Sequence, residues 1–161
     1  MKRPIFLIIL ASFLCFDALA QKLTLSDLEK IYYLSDDEID TYLALKGFEF
    51  NKVAQKDNSN SVGYVYKSTI DSGWQYITKH TWTDGETLLT YTIFDLQSYT
   101  SIKQSLPKMG YVYIGKEIND GKLILKYKKG KLFFRSWLGN AKKSNGESYN
   151  LYELNISNQD Y

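Results

Sequence analysis

The pattern Leu-x-x-x-Gly-aromatic-x-aromatic occurs twice in this chain. It stands at Leu43 to Phe50 (Leu-Ala-Leu-Lys-Gly-Phe-Glu-Phe) and again at Leu106 to Tyr113 (Leu-Pro-Lys-Met-Gly-Tyr-Val-Tyr). Each copy joins a stretch of helical period to one of period two. Its glycine stands where a left-handed C-terminal helix cap belongs, and the alternating aromatics after it open a strand. A chain that repeats this junction is constrained to repeat what flanks it. Further matches keep almost the same offset: Tyr66-Lys67 with Tyr127-Lys128, Gly85-Glu86 with Gly146-Glu147, and Tyr91 with Tyr152. Trp82 aligns with Trp137 at a shorter offset, so loop lengths differ between the halves.

Local signals fill in the unit. Leu25 to Lys46 reads as a helix in two pieces. Ser26 with Glu29 and Ser35 with Glu38 are capping-box patterns, with a break near Leu34. Asp36, Asp37 and Glu38 fall in the first turn of the second piece, where the helix dipole favours acids without any metal. Strands follow at Phe48–Val53, Val62–Ser68, Trp74–Trp82 and Glu86–Phe94. The turns between them contain Asp57-Asn58-Ser59-Asn60, Asp71-Ser72-Gly73 and the hairpin dipeptide Asp84-Gly85. A helix capped by Ser98 then runs to Met109, its last turn shortened by Pro107. Strands follow at Tyr111–Glu117, Leu123–Tyr127, Lys131–Trp137 and Tyr149–Ile156. The expected fold is α+β. One globular domain, residues 21–161, comprises two tandem helix-plus-four-stranded antiparallel units, about 25–95 and 96–158. Helices cover one face of the resulting sheet, and the other is left open.

The first twenty residues stand apart from this fold. Lys2 and Arg3 precede an apolar run, and Ala18-Leu19-Ala20 is a small-x-small cleavage pattern, so residues 1–20 read as a signal peptide cut before Gln21. The run is shorter than the roughly 20 residues a spanning helix needs. The expected protein is exported, periplasmic or extracellular, and does not span a membrane. Its only cysteine, Cys15, lies in the leader, where Leu14 departs from the small residue a lipidation site prefers. The mature chain therefore has no thiol for a disulfide, a zinc ligand or a nucleophile.

Charge and motifs exclude several chemistries. The formal net charge is +2, a balance unlike that of a dedicated nucleic-acid binder. Acids gather in residues 26–50 and bases in 115–145, the latter holding eight lysines and Arg135. His80 is the only histidine, so a multi-histidine metal site is excluded, and no Gly-x-Ser-x-Gly elbow accompanies it. The Gly-Lys pairs lack the rest of a phosphate loop. No cofactor or metal is expected. A hydrolase would need two converging carboxylates, one of them buried and titrating high.

The third strand of each unit carries the candidate site. Trp74, Tyr76, Thr78, His80 and Trp82 share one side of their strand, and Gln75, Ile77, Lys79 and Thr81 the other. Phe133, Arg135 and Trp137 share a side opposite Leu132, Phe134 and Ser136. Period two does not say which side faces inward. Aromatics of this kind form either a core or an exposed recognition surface. The tandem layout resembles that of secreted β-lactamase-inhibitor-like proteins. The resemblance spans the mature chain in architecture alone, shares no functional residue, and implies a concave sheet surface for protein binding. The expectation is thus a non-enzymatic interaction protein that binds a protein partner through an open aromatic face. The binding residues are Trp74, Tyr76, His80, Trp82, Arg135 and Trp137, with Lys126, Lys128 and Lys131 as steering charges. The alternative is an envelope glycan- or peptidoglycan-binding module stacking sugars on the same rings.

Overall fold

A computed structural model describes residues 22–55, 61–70, 73–142 and 146–160. The expected leader at 1–20 with Cys15, the turn residues 57–60, and Asp71 and Ser72 of the next turn lie outside the described residues. Helix α1 spans Leu25–Tyr33 and α2 Asp36–Leu45. The first capping box falls two residues before the expected one. Thr24 Oγ1 accepts from the Asp27 amide at 3.2 Å, and Asp27 Oδ2 accepts from the Thr24 amide at 2.8 Å. Starting there puts Leu23 and Leu28, both buried, at the two positions of a hydrophobic staple, which Ser26 as cap would not do. The break is at Leu34, whose φ of −65° and ψ of 144° are extended. In the second box, Glu38 accepts from Ser35 N at 3.0 Å and Ser35 Oγ at 2.7 Å, as expected.

Both copies of the repeated pattern fold into the same cap. Gly47 has φ 79°; its amide donates to Ala44 O at 3.0 Å, and the Phe48 amide to Leu43 O at 2.9 Å. Gly110 has φ 86°; its amide donates to Pro107 O at 3.1 Å, and the Tyr111 amide to Leu106 O at 3.0 Å. This paired bonding is the Schellman arrangement, in which an apolar pair closes over the turn. Leu43 with Phe48, and Leu106 with Tyr111, are those pairs, all four buried. Gly110→Ala keeps the space open but forces a Cβ into the left-handed region. It will cost about 1 kcal/mol, read as a lowered urea midpoint at unchanged slope.

Helix α3 spans Leu96–Ser105, and a 3₁₀ turn at Pro107–Met109 follows it. It starts before the expected Ser98 because Asp95 is the better cap. Its carboxylate accepts from the amides of Gln97 and Ser98 and from Ser98 Oγ, and pairs with Lys22 at 2.8 Å. Burial opposes the charge on Asp95. These donors outweigh it and hold the carboxyl well below the usual range.

The strands are β1 Glu49–Gln55, β2 Ser61–Ile70, β3 Gly73–Trp82, β4 Thr87–Ile93, β5 Val112–Asn119, β6 Lys122–Lys129, β7 Leu132–Lys142 and β8 Ser148–Ser157. They form one antiparallel sheet in the order β1-β2-β3-β4-β8-β7-β6-β5. β4 pairs with β8 at the centre, and β1 and β5 are the edges. Register sorts the side chains. Tyr66, Ile77, Tyr91, Leu154 and Ser136 form one cross-strand row, and Leu89, Ile156 and Phe134 lie in the next. All are buried, and except for Ser136 they belong to the same cluster as Leu25, Leu28, Ile31, Ile39, Leu43, Ile102 and Leu106 of the helical segments.

Two polar side chains buried beside this cluster are bonded. Gln75 accepts from the Tyr91 hydroxyl, and Lys79 donates its ammonium to Leu34 O at the α1–α2 break. Burial lowers the Lys79 pKa, and Asp36 and Glu38 oppose that shift. Among the described residues no helix is long and apolar enough to cross a membrane.

Candidate functional site

The face of the sheet opposite the buried cluster carries all six candidate binding residues. On β3 the buried positions are Gln75, Ile77 and Lys79, so Trp74, Tyr76, His80 and Trp82 point the other way. On β7 Leu132, Phe134 and Ser136 are buried, and Phe133, Arg135 and Trp137 share the second face. Strand pairing extends this face in rows. One runs His80, Leu88, Ser157, Phe133, Lys128. The next runs Thr78, Thr90, Asn155, Arg135, Lys126, and the third Tyr76, Thr92, Glu153, Trp137, Ile124, Glu117.

The six residues do not form one cluster. On β3, Trp74 is 47 % exposed and stacks on Tyr76, with centroids 6.4 Å apart and planes 14° apart. Lys67 places Nζ 4.6 Å from the Trp74 ring centroid, within cation–π range. His80 and Trp82 lie 5.8 Å apart farther along the strand. Arg135 and Trp137 lie on β7, three strands away from β3 in the sheet. Each step between neighbouring strands is about 4.8 Å. Between the two groups β4 presents Leu88, Thr90 and Thr92, and β8 presents Glu153, Asn155 and Ser157, polar side chains apart from Leu88. The result is two aromatic flanks around a polar floor.

The β6–β7 flank is cationic. Of the expected steering charges, Lys126 and Lys128 lie on this face, and Lys131 is exposed beside the β6–β7 turn. Lys128 sits 4.9 Å from the Phe133 ring centroid, and Lys122 5.7 Å from that of Trp137. Lys126 bonds Asp160 Oδ1 at 2.5 Å and Glu117 at 3.4 Å. Arg135 Nη2 donates to the same Asp160 oxygen at 2.9 Å.

Sequence reasoning missed Asp160, Glu153 and Lys67 as parts of this surface, and it placed Phe133 on this side without naming it a binding residue. Only the period-two alternation of β7 placed Phe133 beside Arg135. Burial raises the Glu153 carboxyl, and Lys122 partly offsets the rise. Glu117, the other acid of that row, is three strands from Glu153. That is about 14 Å, more than the roughly 5–9.5 Å that separates paired glycosidase carboxylates. Elsewhere, a cleft of about 330 Å³ opens between Lys22–Leu25 and α3, lined by Thr24, Ser98, Ser101 and Ser105, with Lys22 already paired to Asp95. Among the described residues no three His, Cys, Asp or Glu side chains cluster as metal ligands.

No protein-family model, curated protein or solved structure matches this chain. The β-lactamase-inhibitor-like layout therefore gains no support from these comparisons, and a functional reading rests on the surface itself.

Proposed function

We propose that this is an exported, non-enzymatic interaction protein that binds a protein partner through the second face of its sheet. In this reading the chain is one domain of two tandem units, about 25–95 and 96–158, following a signal peptide. The helices of both units cover one face and leave the other open. The shared Schellman caps and the pairing of each unit's last strand, β4 with β8, support the tandem part.

One observation carries the functional part. Large rings that could have filled the core lie instead on the face opposite it, while Gln75 and Lys79 lie inside. Rigid Trp, Tyr and Arg side chains beside a polar floor are the composition of protein hot spots.

The test uses the protein from Gln21 onward, immobilised against the envelope and secreted fraction of its source. A stoichiometric protein will be captured, and a Tyr76→Ala/Trp137→Ala variant with parental near-UV circular dichroism will lose it. Equal capture by parent and variant sinks the proposal.

A second reading draws on the Trp74–Tyr76 pair, whose near-parallel rings form a platform of the kind that stacks sugars. It expects envelope oligosaccharides to quench Trp fluorescence in the parent and not in Trp74→Ala. A flat titration removes it.

A further inference from the structure

We infer that Lys126 and Arg135 form a carboxylate-binding site on the second face, and that Asp160 occupies it in place of an acidic side chain of the protein partner. The inference rests on the reading of that face as a protein-binding surface, and names what its cationic flank recognises.

The site is built into the sheet, and its occupant is not. Lys126 and Arg135 are register partners on β6 and β7, with side chains only 16 % and 11 % exposed. Asp160 is 44 % exposed and lies beyond the end of β8. Two fixed cations converge on one oxygen of an anion that solvent reaches, so an outside carboxylate can approach where this one sits. Charge-assisted bonds of this kind are strong and geometrically specific. Asp160 is accordingly held below the ordinary carboxylate range, first by Lys126 and then by Arg135.

The segment that carries Asp160 is anchored independently of it. Asn158 accepts from the Thr87 amide at 3.1 Å and donates to Gly85 O at 3.2 Å. Ser157 Oγ donates to Gln159 O at 2.6 Å, and Gln159 bonds Glu86. Exchange of one carboxylate for another therefore needs rotation beyond Gln159 and leaves the β8 pairing intact. Displacement of Asp160 also restores positive charge to the flank, because Lys122 and Lys128 point to the same side as the pair.

The aromatic neighbours select a protein ligand. Phe133 and Trp137 stand two residues to either side of Arg135 on the same face, so a carboxylate bound at Arg135 sits between two rings. An acidic residue flanked by apolar ones in a partner's segment matches this arrangement, with the charge pair at the centre and apolar contact on both sides.

The test compares the protein with Asp160→Ala, both from Gln21 onward, by fluorescence anisotropy. The probes are an acetylated, amidated hexaglutamate, its hexaglutamine counterpart and a hexaglucuronate. Asp160→Ala is expected to bind hexaglutamate at least tenfold more tightly than the parent, with no gain for hexaglutamine. Adding Lys126→Ala is expected to abolish the gain. Asp160→Asn, which keeps the side chain's shape, must give the same gain and covers the case in which the alanine variant misfolds. Equal affinity of the folded variant and parent overturns the inference, as does an equal gain for hexaglutamine. A preference for hexaglucuronate overturns it in favour of an anionic glycan. None of these outcomes changes whether Tyr76→Ala/Trp137→Ala releases a captured protein, so failure of this site and failure of the broader reading are told apart.

Discussion

Phe134→Ala will cost about 3–5 kcal/mol of folding stability, whereas Trp74→Ala will cost no more than about 1 kcal/mol. Both residues are aromatics on strands, and a reading by residue type ranks tryptophan as the greater loss. Phe134 is 0 % exposed. Its ring meets Tyr111 edge-on at 5.8 Å and Tyr127 at 6.1 Å, inside the cluster that joins helices to sheet. Deleting it opens a cavity that the surrounding strands can only partly close. Trp74 is 47 % exposed and is contacted by the Tyr76 ring and the Lys67 ammonium. Urea unfolding followed by far-UV circular dichroism reads both. The reverse order of costs would place the core on the other face of the sheet and remove the basis for a recognition surface there.

Asp27→Asn will lower stability at neutral pH by about 2 kcal/mol, and the gap between variant and parent will close between about pH 4 and pH 2. Burial alone would raise this carboxyl. Tyr42, the Thr24 amide and hydroxyl, and Lys46 outweigh it and hold the pKa at about 2. Tyr42 Oη donates at 2.5 Å and Lys46 approaches at 3.0 Å. Asp27 thus caps α1 and ties α1 to α2 with one side chain. Because its folded pKa is depressed, its stabilisation is fully present above the unfolded value. It is lost as pH falls through the folded one, so the variant and parent converge from the acid side. Tyr42 responds in the opposite sense: burial first, then the bond to Asp27, push its hydroxyl up to about 12. A gap that stayed constant down to the acid end of that window would mean that Asp27 contributes its shape and not its charge.

Much of the local structure was legible in the residues. The helix break at Leu34, the Ser35–Glu38 box, the Gly47 and Gly110 caps and the alternation on β3 and β7 follow from contacts between near neighbours in the chain. At that range backbone geometry and side-chain chemistry suffice. The first box was misplaced because Thr24 uses an aspartate at the position where Glu or Gln is the usual signal. The third helix was started late for a related reason. Ser98 looked like a cap, and Asp95, three residues earlier, is the stronger acceptor for two amides and a hydroxyl.

Of the candidate surface, the sequence alone supplied membership and not geometry. Alternation grouped Trp74, Tyr76, His80 and Trp82, and grouped Arg135 with Trp137. It could not place the two groups three strands apart, because that separation depends on β4 pairing with β8, far along the chain. Nor could it bring Asp160 to Lys126 and Arg135. By itself, then, the sequence determined the elements, their caps and which side chains share a side. The tertiary structure decided which side faces inward. β3 offered Trp74, Tyr76 and Trp82 on one side and Gln75, Ile77 and Lys79 on the other, and composition favours burying the first set. The second set faces inward because pairing puts Ile77 in the row of Tyr66 and Tyr91 and Lys79 beside Leu89, and Gln75 and Lys79 are tolerated there because Tyr91 donates to Gln75 and Leu34 O accepts from Lys79. Those partners lie 16 and 45 residues away, where periodicity carries no information.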